Sequence, residues 1–273
     1  MATAHVNGVR LFYEVRGRRE IPLFLVHGSW GSHHSWDAVV SRLAESFEVV
    51  TYDRRGHSQS ERVTGRGSIR EDVADLAALI EELNLAPAWV AGSSFGGSIA
   101  LRLACERRDL LRGVVAHEPP LLRLLEEESD YVPFLEEVQR RTSDVLALVL
   151  AGDHPGAAEQ FVETLALGPG TWARLPSRAQ QTFVENASTF VDEASDPDQM
   201  SFDLSSLERF SRPVLLTLGD QSPSGYIPVV EKLAAALPEA SVTIYPGAGH
   251  IPHSTNPDSY SATVTAFIKG HEQ

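Results

Sequence analysis

Residues 87–108 read PAWVAGSSFGGSIALRLACERR, and the order of parts in this stretch decides the fold. Ala88-Trp89-Val90-Ala91 is a short apolar run, suited to a strand buried on both faces. GGSIALRLACERR, from Gly96 onward, reads as a helix. Between them, Gly92-Ser93-Ser94-Phe95-Gly96 fits G-x-S-x-G with Ser94 at its centre. A strand that turns this sharply into a helix has room only for small residues at Gly92 and Gly96. It also aims the helix N-terminus at the central serine. Ser93 fails the same test, because Ala91 and Phe95 would take the glycine positions. Ser94 is therefore the candidate nucleophile.

The same rhythm extends in both directions. IPLFLVHG (21–28), FEVVTYDRRG (47–56), LRGVVAHEPP (111–120), RPVLLTLGD (212–220) and ASVTIYPGAGH (240–250) are short apolar runs that end in polar or glycine residues. Helical spacing separates them: Ile69, Val73, Leu76, Ile80 and Leu83; Ile227, Val230, Leu233, Ala234 and Leu237; Tyr260, Val264, Phe267 and Ile268. Two β-rich runs up to Val15 form an opening hairpin. Strand and helix in alternation predict an α/β protein with a doubly wound, mostly parallel sheet.

One interval breaks the pattern. Between Pro119 and Arg212 no strand-like run occurs, and so long a stretch is not a plain loop. Phe183, Val184, Ala187, Phe190 and Val191 form an apolar helical stripe, and Phe161, Val162 and Leu165 a shorter one. The expectation is a core of residues 1–118 and 213–273 with a helical cap at 119–212. Cap residues Phe161 and Phe183, with Trp30, are the candidate substrate-binding side chains.

Two further strand ends carry chemistry. In Val26-His27-Gly28-Ser29-Trp30, Gly28 lets the backbone turn toward the serine. The N–H groups of Ser29 and Phe95 then form a candidate oxyanion hole, and His27 is structural. In Pro246-Gly247-Ala248-Gly249-His250, the histidine follows a strand through a glycine turn, as a base that must reach Ser94 should. His253 is its competitor.

The succession HGSW, YDRRGHSQS, GSSFGG and GAGH resembles the α/β-hydrolase superfamily. More narrowly, it is similar to capped esterases, lactonases, C–C hydrolases and cofactor-free haloperoxidases. The resemblance implies an α/β-hydrolase fold, Ser94 as nucleophile, His250 as base, and Ser29 and Phe95 as oxyanion donors. Asp53, Arg55 and Gly56 match a strand-end turn that is structural in such proteins. The acid departs from the pattern. The family's usual G-x-x-D segment reads Gly219-Asp220-Gln221-Ser222 here, with serine at the aspartate position. Glu118, at the alternative strand end, is the preferred acid, and Asp220 is the alternative.

Composition bounds the function. Lys plus Arg is 23 and Asp plus Glu is 37, a formal charge of −14 that opposes nucleic-acid binding and charge-driven binding to anionic membrane. Cys105 is the single cysteine, so no internal disulfide forms. The N-terminus has no signal-peptide pattern, and apolar runs stop at about seven residues, far below a membrane span; a cytoplasmic location is the expectation. No metal-ligand spacing or phosphate-cradling glycine loop is present, so neither metal nor cofactor is expected. Oligomeric state leaves no mark in the sequence. The leading reading is a Ser-His-acid hydrolase of a small carboxylic ester or lactone. C–C bond hydrolysis and perhydrolysis are alternatives, and a non-catalytic ligand-binding protein is a third.

Overall fold

Successive side chains of the first parallel strand go to opposite faces. Phe24 and Val26 pack into one core, and Leu23 and Leu25 into another. That division follows from the two-residue period of a strand, and it gives the sheet an apolar layer on each side. The computed structural model describes residues 2–62, 67–237 and 240–272.

Eight strands form one sheet: β1 (Ala2–Val6), β2 (Val9–Arg16), β3 (Pro22–Val26), β4 (Glu48–Tyr52), β5 (Ala88–Ser93), β6 (Leu111–His117), β7 (Val214–Gly219) and β8 (Ala240–Tyr245). Their order is β1-β2-β4-β3-β5-β6-β7-β8. The pairs β1–β2 and β2–β4 are antiparallel, and every other pair is parallel. Helices α1 (Asp37–Leu43), α2 (Ile69–Glu82) and α3 (Phe95–Glu106) lie among the first six strands. The segment between β6 and β7 holds α4 (Val132–Leu150), α5 (His154–Phe161), α6 (Ser177–Asn186) and α7 (Phe190–Ser195) and contains no strand. Helices α8 (Tyr226–Ala236), α9 (Pro252–Thr255) and α10 (Pro257–His271) complete the chain. Side chains of α2, α3 and α8 fill one core, and those of α1 and α10 the other. This is a doubly wound, mostly parallel α/β sheet with a helical insertion.

Register sets the edge at which the candidate site residues gather. Val26 pairs with Gly92, Ser93 with His117, and His117 with Thr217, so the carboxyl ends of β3, β5, β6 and β7 come level. The loops leaving them meet on one side of the sheet. The insertion has its own core, in which Trp30 joins Val145, Val149, Ala158, Phe161, Ala187 and Phe190.

Three readings of the sequence need correction. Ile227, assigned to a buried stripe, is exposed, while Val229, Val230 and Leu233 are buried. The helix begins at Tyr226 and turns Val229 inward instead. Strand β8 is not buried on both faces: Val242 and Ile244 are exposed, because β8 is the outermost strand. The acidic run Glu126-Glu127-Glu128 reads from the sequence as a solvated helix face; Glu126 and Glu127 are exposed, but in a turn.

Candidate active site

The turn between β5 and α3 is too tight for side chains. A Cβ added at Gly92 would collide with the Gly96 carbonyl, and one at Gly96 with the carbonyls of Val26 and His27. Ser94 sits at φ 55°, ψ −124°, a conformation L-residues rarely adopt. Its N–H donates to the His117 carbonyl at 2.8 Å, which holds the strained turn to β6. Phe95 N–H lies in the first turn of α3, where no preceding helical carbonyl exists to accept it.

Gly28 faces this turn. A Cβ there would lie 3.1 Å from Ser94 Cβ and 3.7 Å from its Oγ, so the bare backbone after β3 lies against the serine. The Gly28 carbonyl is held from the other side, by His27 Nδ1 at 2.8 Å and Gly31 N–H at 3.3 Å. His27 Nε2 accepts from the Arg54 N–H at 3.0 Å, which places the imidazole proton on Nδ1 as donor. Burial drives the His27 pKa down to about 3, so the ring stays neutral. In a trans peptide N–H points opposite to C=O. Ser29 N–H is therefore directed away from His27, and Ser29 lines the same cavity as Ser94.

His250 Nδ1 and Glu118 Oε2 are 2.5 Å apart, and both residues are buried. Glu118 Oε1 accepts from Gly219 N–H at 2.7 Å. Burial alone would raise the Glu118 pKa; the hydrogen bond and charge of His250 outweigh it and hold the carboxyl at about 2. Tyr226 stacks on His250 with ring centroids 4.9 Å apart. Asp220 is turned elsewhere: its Oδ1 accepts from Gly247 N–H at 2.8 Å and so ties down the turn that precedes His250. His253 packs against Trp36 at 4.6 Å, and burial lowers its pKa to about 3.

His117, which no sequence motif assigns to the site, lies against it. Its ring centroid is 6.0 Å from that of His250, its Nε2 is 3.7 Å from Glu118 Oε2, and its Nδ1 is 3.0 Å from Thr217 Oγ1. The adjacency of His117 and Glu118 at a strand end was the available signal. His117, Glu118 and His250 form the one cluster among the described residues whose ligand atoms come within 4.8 Å of one another. The short His250–Glu118 bond already satisfies two of those atoms without an ion.

Ser94 opens onto a cavity of about 150 Å³ lined by Phe161, Phe190, Met200, Tyr226 and His250, and onto a recess of about 70 Å³ reached by Phe161 and Phe183. Trp30 lines neither. It is fully buried and stacks behind Phe161, with centroids 4.5 Å apart and planes within 5°. Its role on a substrate wall is thus corrected to backing one.

The insertion is tied to the loops after β3 and β4 by buried polar groups. Glu193 of α7 accepts from Arg54 Nη1 and Nη2 at 3.1 and 3.0 Å, and Asp72 grips the same guanidinium at 3.0 and 2.8 Å. That guanidinium lies 4.3 Å over the Phe95 ring. Asn186 Nδ2 donates to the carbonyls of Trp30 and Gly31 at 3.2 and 2.8 Å. Asn186 matches a glycosylation acceptor in sequence, yet it is fully buried. Asp53 accepts from His33 N–H at 2.7 Å and Gln59 N–H at 3.0 Å, which is a structural arrangement.

A family model for alpha/beta hydrolases matches residues 23–263. The chain belongs to the alpha/beta hydrolase family. The uncharacterized hydrolase YraK of Bacillus subtilis is 35% identical over 175 residues, which is 62% of this chain and 64% of that protein. The bifunctional esterase/perhydrolase DCH of Acinetobacter calcoaceticus is 28% identical over 96% of this chain and 97% of its own. Among solved structures, a thermophilic esterase from Thermogutta terrifontis superposes with a TM-score of 0.79 at 22% identity, covering 100% of this chain and 99% of that one. The hydrolase has no helix long and apolar enough to cross a membrane among its described residues.

Proposed function

We propose that this hydrolase cleaves small carboxylic esters or lactones through an acyl-enzyme on Ser94. The observation that supports it most is the short bond between Glu118 Oε2 and His250 Nδ1, with His250 and the strained Ser94 opening on one cavity. Ser94 Oγ attacks the carbonyl carbon, and His250 Nε2 takes its proton. The carbonyl oxygen becomes an oxyanion that accepts from Ser29 N–H and Phe95 N–H. Collapse expels the alcohol, which receives the proton from His250. Water, deprotonated by His250, then attacks the acyl-enzyme; collapse breaks the bond to Ser94 Oγ, which takes the proton back from His250 as the acid leaves. Glu118 keeps the His250 proton on Nδ1 and stabilises the imidazolium. Phe161, Phe183 and Phe190 favour apolar groups next to the carbonyl.

Perhydrolysis is the second reading, and the likeness to an esterase/perhydrolase over nearly the whole chain favours it. It uses the same acyl-enzyme with hydrogen peroxide in place of water. The test is a panel of 4-nitrophenyl esters and lactones, with and without peroxide, combined with fluorophosphonate labelling. Ester turnover and a label on Ser94, both lost in Ser94→Ala with the fold retained, are expected. Wild-type turnover in Ser94→Ala would refute the reading. Cleavage of β-diketones but not of esters would move the enzyme to C–C bonds.

A further inference from the structure

The cavity above Ser94 is apolar over most of its wall, yet it carries one permanent charge. Among the described residues lining the cavity and its recess there is no Asp or Glu, and Arg141 is the single Lys or Arg. Arg141 stands on α4, in the insertion, and its side chain is 40% exposed. Nε donates to Glu137 Oε1 at 2.6 Å and Nη1 to the Thr164 carbonyl at 2.7 Å. These two bonds fix the plane of the guanidinium and leave Nη2 unused by either.

Glu137 is shared: Arg140 takes both oxygens of the same carboxylate, each at 2.8 Å, and also reaches Asp144 Oδ2 at 2.7 Å. Two acids thus serve the two guanidiniums, and Glu137 holds Arg141 through Nε alone. Anchoring α4 to Thr164 needs only the inner edge of Arg141. Arg141 lines the apolar cavity while its side chain is 40% exposed, so it keeps its charge in water and offers it to an anion that enters the cavity. The bond to such an anion is charge-assisted.

We propose that Arg141 binds a carboxylate carried by the substrate, so that the ester or lactone this enzyme takes is an anionic one. The inference rests on Ser94 as the reacting group of the same cavity. Nη2, held in a fixed plane by the other two bonds, can donate to a carboxylate oxygen, and the apolar wall of the cavity it shares with Ser94 suits a short methylene chain joining that carboxylate to the scissile carbonyl. Arg141 is then a specificity residue that selects which acyl group is presented to Ser94.

The test compares mono-4-nitrophenyl adipate with 4-nitrophenyl hexanoate, which have equal acyl length and differ by a terminal carboxylate. In Arg141→Met, the ratio of kcat/KM for adipate to that for hexanoate should fall roughly ten- to hundredfold, mainly through KM. Arg141→Lys should keep part of the ratio. An unchanged ratio, including one in which both esters decline together, would leave Arg141 as a support for α4 and overturn the proposal. A second arm needs no turnover. Calorimetry on Ser94→Ala should show tighter binding of monomethyl adipate than of methyl hexanoate, and adding Arg141→Met should abolish the difference. Absence of that preference overturns the carboxylate site whatever Ser94 does. Failure of fluorophosphonate labelling, with the binding preference intact, overturns the nucleophile reading instead.

Discussion

Replacing Glu118 by glutamine should cripple the enzyme without unfolding it, and the structure shows why the amide has no good orientation. Both carboxylate oxygens face hydrogen-bond donors: Oε1 accepts from Gly219 N–H at 2.7 Å, and Oε2 meets His250 Nδ1 at 2.5 Å. The Gly219 donor is backbone and cannot reverse. A glutamine must therefore offer its oxygen to Gly219 and its NH₂ group to His250. Nδ1 then becomes an acceptor, the ring proton moves to Nε2, and in the proposed mechanism that nitrogen can no longer take the proton of Ser94. Loss of the correct tautomer is worth roughly 10⁴ in kcat, or about 5.5 kcal/mol of transition-state stabilisation. The assay is kcat on a 4-nitrophenyl ester, with circular dichroism to confirm the fold and proton NMR to follow the low-field His250 Nδ1 resonance, which should vanish. Asp220→Asn is the control. An asparagine carbonyl still accepts from Gly247 N–H, so the loss should stay below about tenfold. A Glu118→Gln enzyme within tenfold of wild type, or a deeper loss in Asp220→Asn, would refute the reasoning.

Acid should destabilise the wild type more than Glu118→Gln. The folded Glu118 pKa of about 2 lies below the usual 4.5, so its contribution is complete above pH 4.5 and is lost as the pH falls toward 2. The difference is on the order of 3 kcal/mol, to be read from urea midpoints of the two proteins across that range; parallel acid profiles would contradict it. Gly96→Ala should cost about 3 kcal/mol or prevent folding, because its Cβ meets the Val26 and His27 carbonyls, which cannot move without shifting β3; a wild-type urea midpoint would count against the elbow's steric account. Glu193→Ala should cost about 3 kcal/mol, since it removes one carboxylate from the buried Arg54 guanidinium. Equilibrium unfolding measures it, and a change under about 0.5 kcal/mol would show that Asp72 alone suffices.

Ser94, its two glycines and the strand–helix alternation were legible in the chain because each is a local constraint. Five consecutive residues make the elbow, and a strand covered on both faces must be apolar at every position. His250 was legible for a related reason: a glycine turn after a strand is itself local. For the partner of His250 the sequence preferred Glu118 to Asp220 but no local pattern separated them, since both follow strands that end on the same edge. The contact depends on how the β7 and β8 loops close, and there Gly247 N–H takes Asp220 and leaves Glu118 to His250. Packing also moved Trp30 from the cavity wall to the layer behind it, and brought His117 beside His250. The pairing of Glu193 with Arg54 and the placing of Arg141 on the wall of the Ser94 cavity have no local pattern at all. They arise from where an insertion between β6 and β7 settles on the sheet, and that is set by the summed burial of Phe161, Phe190 and Trp30 rather than by any run of neighbours along the chain.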